Sequence, residues 1–166
     1  MAQLPTGSAG PQEGTPASSP SSDSSRAVPR LVVSRESDEA SLRAARREVQ
    51  RRIEAQGVLS REVREMLEDC WTHALAHARQ REGPGGASWF TLLRIMDELL
   101  WSVQVKLTTD DRKRLMGILP SLIANVQEGM VQGQWSSDRR DGFLAVLVDC
   151  HAAAVKAGFK KRLTPL

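Results

Sequence analysis

The chain has no tyrosine, only three phenylalanines and only two cysteines in 166 residues, and each shortage closes off a class of protein. Cys70 and Cys150 are too few for a disulfide framework and fit a reducing compartment, where a free thiol behaves as a small buried apolar group. No run approaches the roughly 18 apolar residues that a membrane span needs, and residues 1–10 lack the basic start and apolar stretch of a secretory signal. A cytoplasmic protein with no membrane contact is the expectation. Catalytic signatures are missing as well: there is no G-x-x-x-x-G-K-[ST], G-x-S-x-G, G-x-G-x-x-G or H-E-x-x-H, so no catalytic residue is assigned and no cofactor is implied.

Proline is scarce beyond residue 37, where only Pro84, Pro120 and Pro165 occur. The long stretches between them have helix-forming composition, which argues against a β-sandwich or barrel. Residues 1–37 hold five of the eight prolines and no aromatic residue, and they lack the apolar surface that offsets the entropy of folding. They read as a disordered Ser/Pro-rich tail, residues 38–158 as a helical bundle, and residues 159–166, with Lys160, Lys161 and Arg162, as a frayed basic end. The net charge of +3 permits an acidic partner without requiring one.

Five helices are expected. The first runs from Asp38 to about Gln56, with Leu42, Ala45, Val49 and Ile53 as a narrow apolar stripe, so it is placed outside the bundle with Gly57 closing it. The second, capped by Ser60, carries Val63, Met66, Leu67, Cys70, Trp71, Ala74 and Ala78 on one face to about Arg81. After the Gly83–Ala87 loop, Ser88 can cap a third helix to about Val105, apolar nearly all round. It is expected as the hub, with a solvent strip at Thr91, Arg94, Glu98 and Ser102. Thr109 opens a fourth, whose register from Leu115 to Met130 continues across Pro120. The last begins near Ser136 or Ser137 and is closed by Gly158.

Three constellations could carry chemistry. Cys70, His73 and His77 rise along one flank of the second helix and could place three ligands around zinc, with His151 or Asp97 as a fourth; the apolar face that holds Cys70 and the missing Cys-x-x-Cys favour packing instead. Asp97 and Gln104 share a side of the third helix with Phe90, Leu93, Leu100 and Trp101. They are expected to be partly buried, the carboxylate needing an Arg or an indole N–H. Arg43, Arg46, Arg47 and Arg51 make a ridge suited to phosphates, but five arginines against four acids over residues 38–56 leave a net of only +1, which favours a solvated face.

The segments CWTHALAHARQREG, LRIMDELLWSVQ, DRKRLMGILPSLIANVQEGM and FLAVLVDCHAAAV resemble the C-terminal helical region of a proteobacterial family, domain of unknown function 1631, over about Val63–Val155. Some members carry the label thymidine phosphorylase, for which this sequence supplies no chemistry. The resemblance implies a helical module and transfers no functional residue.

The combined expectation is an all-α fold: an antiparallel bundle of four core helices with an amphipathic N-terminal helix outside it, preceded by the disordered tail. Function is expected to be non-enzymatic, an interaction or regulatory module whose protein partner meets the seam of Leu42, Val49 and Ile53. The alternative is a binder of nucleic acid or a nucleotide through Arg43, Arg46, Arg47, Arg51 and the basic C-terminus. An enzyme built around Asp97, Cys70 and His77 is a third reading, and homo-oligomerisation is left open.

Overall fold

A computed structural model describes residues 29–162, with side-chain surroundings for 37–158. The expected disordered tail lies outside the described residues as far as residue 28. The elements are α1 (Pro29–Ala55), α2 (Arg61–Met66), a π-helical turn (Leu67–Trp71), α3 (Thr72–Glu82), α4 (Ala87–Ser102), α5 (Thr109–Gln132) and α6 (Ser137–Arg162), with no strand among the described residues. The fold is an all-α bundle.

Helix α1 starts ahead of Asp38, at Pro29, whose fixed φ and missing N–H suit a first helical position. It is not an outer accessory. Ala45, Val49 and Ile53 are buried with Ala44, and the helix lies along α3, where Ala74, Ala76 and Ala78 are buried too. Small side chains on both helices let the backbones approach, so a stripe that looks narrow in sequence is wide enough to enter the core. The seam proposed for a partner is therefore filled from within: Val49 and Ile53 are each only 1% exposed, while Leu42 is half-buried against the core.

The rod formed by α2, the π turn and α3 is the hub; it packs against α1, α4, α5 and α6. Ser60 caps it as expected, its Oγ accepting from Val63 N at 3.3 Å. At the π turn the backbone N–H of Thr72 reaches back five residues to the Leu67 carbonyl, and Thr72 Oγ1 donates to the same oxygen at 3.2 Å. The extra residue turns Cys70, Trp71 and Thr72 together toward the interior. Trp71 is fully buried, with Nε1 donating to the Leu92 carbonyl at 3.1 Å. Helix α5 meets this turn with glycine: a Cβ on Gly129 would lie 2.4 Å from the Trp71 ring, and one on Gly133 would lie 2.4 Å from the Cys70 carbonyl.

Helix α4, expected at the centre, instead packs on α3 and α5 and stops at Ser102, short of Val105. Its N-terminus is held by Glu82, whose carboxylate accepts from both Ser88 N–H, at 2.9 Å, and Ser88 Oγ. Phe90 is 59% exposed, so the apolar circumference is not all covered. Thr108 caps α5 by accepting from Asp111 N, and α5 runs unbroken through Pro120. Gly57 has no left-handed φ; among the described residues positive φ is found at Gly83, Gly85 and Gln134.

Helix α6 continues through Gly158 to Arg162. That glycine serves closeness rather than termination, because a Cβ there would sit 1.9 Å from the Lys106 carbonyl oxygen. The Lys106 N–H donates to the Ala154 carbonyl at 3.1 Å, which clamps the α4–α5 loop onto α6.

Candidate functional site

The clamp buries an unexpected polar cluster. Lys106 is 2% exposed; its ammonium donates to the Trp101 and Gln104 carbonyls at 2.5 and 2.6 Å and lies 4.2 Å from the Trp101 ring centroid, which the Arg114 guanidinium also faces at 4.3 Å. Burial pulls the Lys106 ammonium below its usual range; Asp111 opposes this and Arg114 adds to it. Ser102, expected on the solvent strip, is fully buried beside it. Its Oγ donates to the Leu99 carbonyl at 2.7 Å and lies 2.9 Å from His151 Nε2. With the hydroxyl proton committed to Leu99, the imidazole must be the donor, so this Ser–His pair has the wrong polarity for a nucleophile and its base.

Burial, reinforced by the Lys106 charge, pushes the His151 imidazole below its ordinary pKa near 6.5. The unfolded chain therefore binds the proton more readily, and this contribution to stability is complete above about pH 6.5 and is lost as pH falls below it. Urea midpoints at pH 7.5 and 5.5 should drop more for the wild type than for His151→Gln; equal drops would sink the argument.

The zinc triad does not assemble. Cys70 points into the core, its thiol pushed up to about 12 by burial and by Asp69, whereas His73 is exposed beyond the π turn. His151 is committed to Ser102, and Asp97 takes Arg52 Nε at 2.7 Å. Among the described residues no group of three or more His, Cys, Asp or Glu could hold a metal ion. Asp97 and Gln104, expected to be partly buried, are exposed: Leu93 and Leu100 of that side are buried, but Asp97 stands at its edge beside Arg52, and Gln104 lies beyond the end of α4. The expected Arg partner of Asp97 is present, and Gln104 Nε2 reaches Gln56. No acid/base site joins Asp97, Cys70 and His77.

Two of the surface concavities bear on function. One is an apolar groove of about 230 Å³ where the α1–α2 and α4–α5 loops meet α6, walled by Leu59, Val63, Val103, Val105, Cys150 and Ala157. Val58 on its lip is fully exposed, and Val105 is 48% exposed. The other is a cleft of about 280 Å³ between α1, α3 and the turn after α5, where Leu42, Ala76, His73 and His77 come together with Asp38, Glu39 and three glutamines. Nearby, Asp69 accepts from Trp135 Nε1 at 3.1 Å and Arg139 at 2.9 Å; against the opposing effect of burial, these bonds hold its carboxyl below the usual range.

The arginine ridge divides. Arg51 and Arg52 are both paired with Glu48, whereas Arg43, Arg46 and Arg47 are exposed with no ion pair or hydrogen bond among the described residues. Among those residues no helix is long and apolar enough to cross a membrane.

A family profile described as "Protein of unknown function (DUF1631) third domain" matches residues 33–148. The match takes in α1, in keeping with that helix being part of the core, and stops within α6. No curated protein and no solved structure matches the chain significantly.

Proposed function

The chain belongs to the DUF1631 family of proteins of unknown function, through its third domain, and on the ground of its surface we propose that it is a non-enzymatic interaction module. It docks an amphipathic helix of a protein partner in the apolar groove beside α6. The observation that carries this reading is the groove itself. Of its ten lining residues only Ser60 is polar, and Val58 and Val105 stand open to solvent with Leu107, 46% exposed, close by in sequence. Apolar clusters of this kind mark contact sites. Ala153, Ala154 and Ala157 keep one wall low, which suits close approach of a helix, and exposed Arg61 and Lys156 flank the lining positions. A partner helix with carboxylates beside its apolar face fits both features. Two free cysteines suit a cytoplasmic setting.

A photo-crosslinker at position 58 should label such a partner, and a synthetic helix from that partner should bind the wild-type chain about tenfold or more tightly than Val105→Glu. Labelling no stronger than from exposed Met116, or equal affinity for the variant, overturns the reading. Self-labelling would identify a second copy of this chain as the occupant.

A second reading, an anion binder, rests on unpaired Arg43, Arg46 and Arg47, which share one turn of α1. Contacts to several phosphates would weaken steeply with added salt, whereas docking in the groove would not.

A further inference from the structure

We propose that Ser102, Lys106 and His151 form an acid-released latch on the apolar groove beside α6. As regulation of docking it rests on the function proposed above, whereas the latch itself is a property of the fold. One wall of the groove carries Val103 and Val105, and the facing wall is the α6 run of Cys150, Ala153 and Ala157. The segment 103–105 is fastened to α6 at both ends: Ser102 Oγ lies 2.9 Å from His151 Nε2, and the Lys106 N–H donates to the Ala154 carbonyl at 3.1 Å. Val105, 48% exposed between these two anchors, has little packing of its own to hold it there. Lys106, Val105 and Ala154 all lie outside the main apolar core, so the loop can leave α6 without emptying that core.

The anchors are buried, and the charge around them is of one sign. The Lys106 ammonium has backbone carbonyls for partners and the imidazole has a hydroxyl; neither group is in an ion pair among the described residues. From α5, Arg112 donates to the Lys106 carbonyl at 3.1 Å, Arg114 faces the Trp101 ring, and Asp111 is the carboxylate that acts on Lys106. Glu98 of α4 is taken by Arg94; Arg61, Glu62 and Glu65 of α2 and Asp149 and Lys156 of α6 are exposed. A proton added to His151 therefore puts a second cation in a cluster that already buries one, and release of the loop hydrates both. Burial and the Lys106 charge hold the imidazole below its ordinary pKa near 6.5, so the closed loop is favoured above that pH and loses ground as pH falls below it. At pH 5.5, one unit under the ordinary value, the open form gains about tenfold.

The test is thiol labelling of the full chain with dithiodipyridine at pH 7.5 and 5.5. Cys150, half-buried on the α6 wall, reports opening of the groove, and Cys70, fully buried in the core, reports unfolding. At pH 5.5 the wild type should react at Cys150 about tenfold faster than His151→Gln, whose amide keeps a donor for Ser102 and does not titrate. At pH 7.5 the two should match, with Cys70 unreacted in both. Comparison at a single pH cancels the ionisation of the thiol. Amide exchange in the wild type gives a reading that needs no variant: the protection factor of the Lys106 N–H should fall about tenfold from pH 7.5 to 5.5 while Cys70 stays unreacted. Equal Cys150 rates at pH 5.5, unchanged protection of Lys106, or reaction of Cys70 in step with Cys150 overturns the latch. None of these outcomes touches the docking of a helix in the groove, which crosslinking from position 58 decides separately.

Discussion

Trp71→Ala is expected to cost about 3–5 kcal/mol, the upper part of the range for single substitutions, and to leave the domain at the edge of unfolding at 25 °C. The indole is completely buried where the hub rod changes from α to π, and it fits against Gly129, where no side chain could stand. Removing it empties the space on which α4 and α5 both close, and takes away the donor to the Leu92 carbonyl. The measurement is the urea midpoint at unchanged slope. Trp71→Phe should recover part of the loss, since it refills most of the cavity without restoring the hydrogen bond. A loss below about 1 kcal/mol for the alanine variant would mean that the rod is not the hub.

The second large effect is at Ile53. Ile53→Ala should destabilise the isolated chain by about 2–5 kcal/mol, because the side chain is 1% exposed within the chain's own core. This substitution separates two roles for α1. A helix held in reserve for a partner would lose binding and keep its fold, whereas one packed on α3 loses the fold in the absence of any partner. Thermal and urea denaturation of the purified variant read the difference directly, and an unchanged midpoint would return α1 to the surface.

Much of the architecture was legible in the residues. Ser60 as a cap, the unbroken register across Pro120 and the buried face from Val63 to Ala78 all follow from side-chain chemistry and a 3.6-residue period. The same period is the reason for what was missed. It has no place for an inserted residue, so Cys70 and His73 look like neighbours on one flank although the π turn sends one inward and leaves the other in water. The narrow stripe of α1 suggested an outer position because Ala44, beside it, adds little to an apolar pattern, yet small residues are what allow that helix into the core.

The polar sites were harder to see for another reason. Lys106, Ser102 and His151 come from three different segments, and a lysine looks like a surface residue until the loop that carries it is pinned. Gly158 was the available signal, but a glycine near the end of a helical stretch is more readily taken as its stop than as a point of contact. The cleft where His73 and His77 meet likewise draws on α1, α3 and the turn after α5, three segments that no local spacing brings together.

The clamp between Lys106 and α6 also decides where this unit can be cut. The segment shared with the family finishes at residue 148, yet the carbonyl that receives the loop belongs to Ala154 and the gap that admits it lies at Gly158. A fragment trimmed to the family boundary would strip the lid from a buried ammonium and take away the imidazole beneath it. Any recombinant piece designed for crystallisation or fusion should therefore extend through Arg162, the last residue of α6.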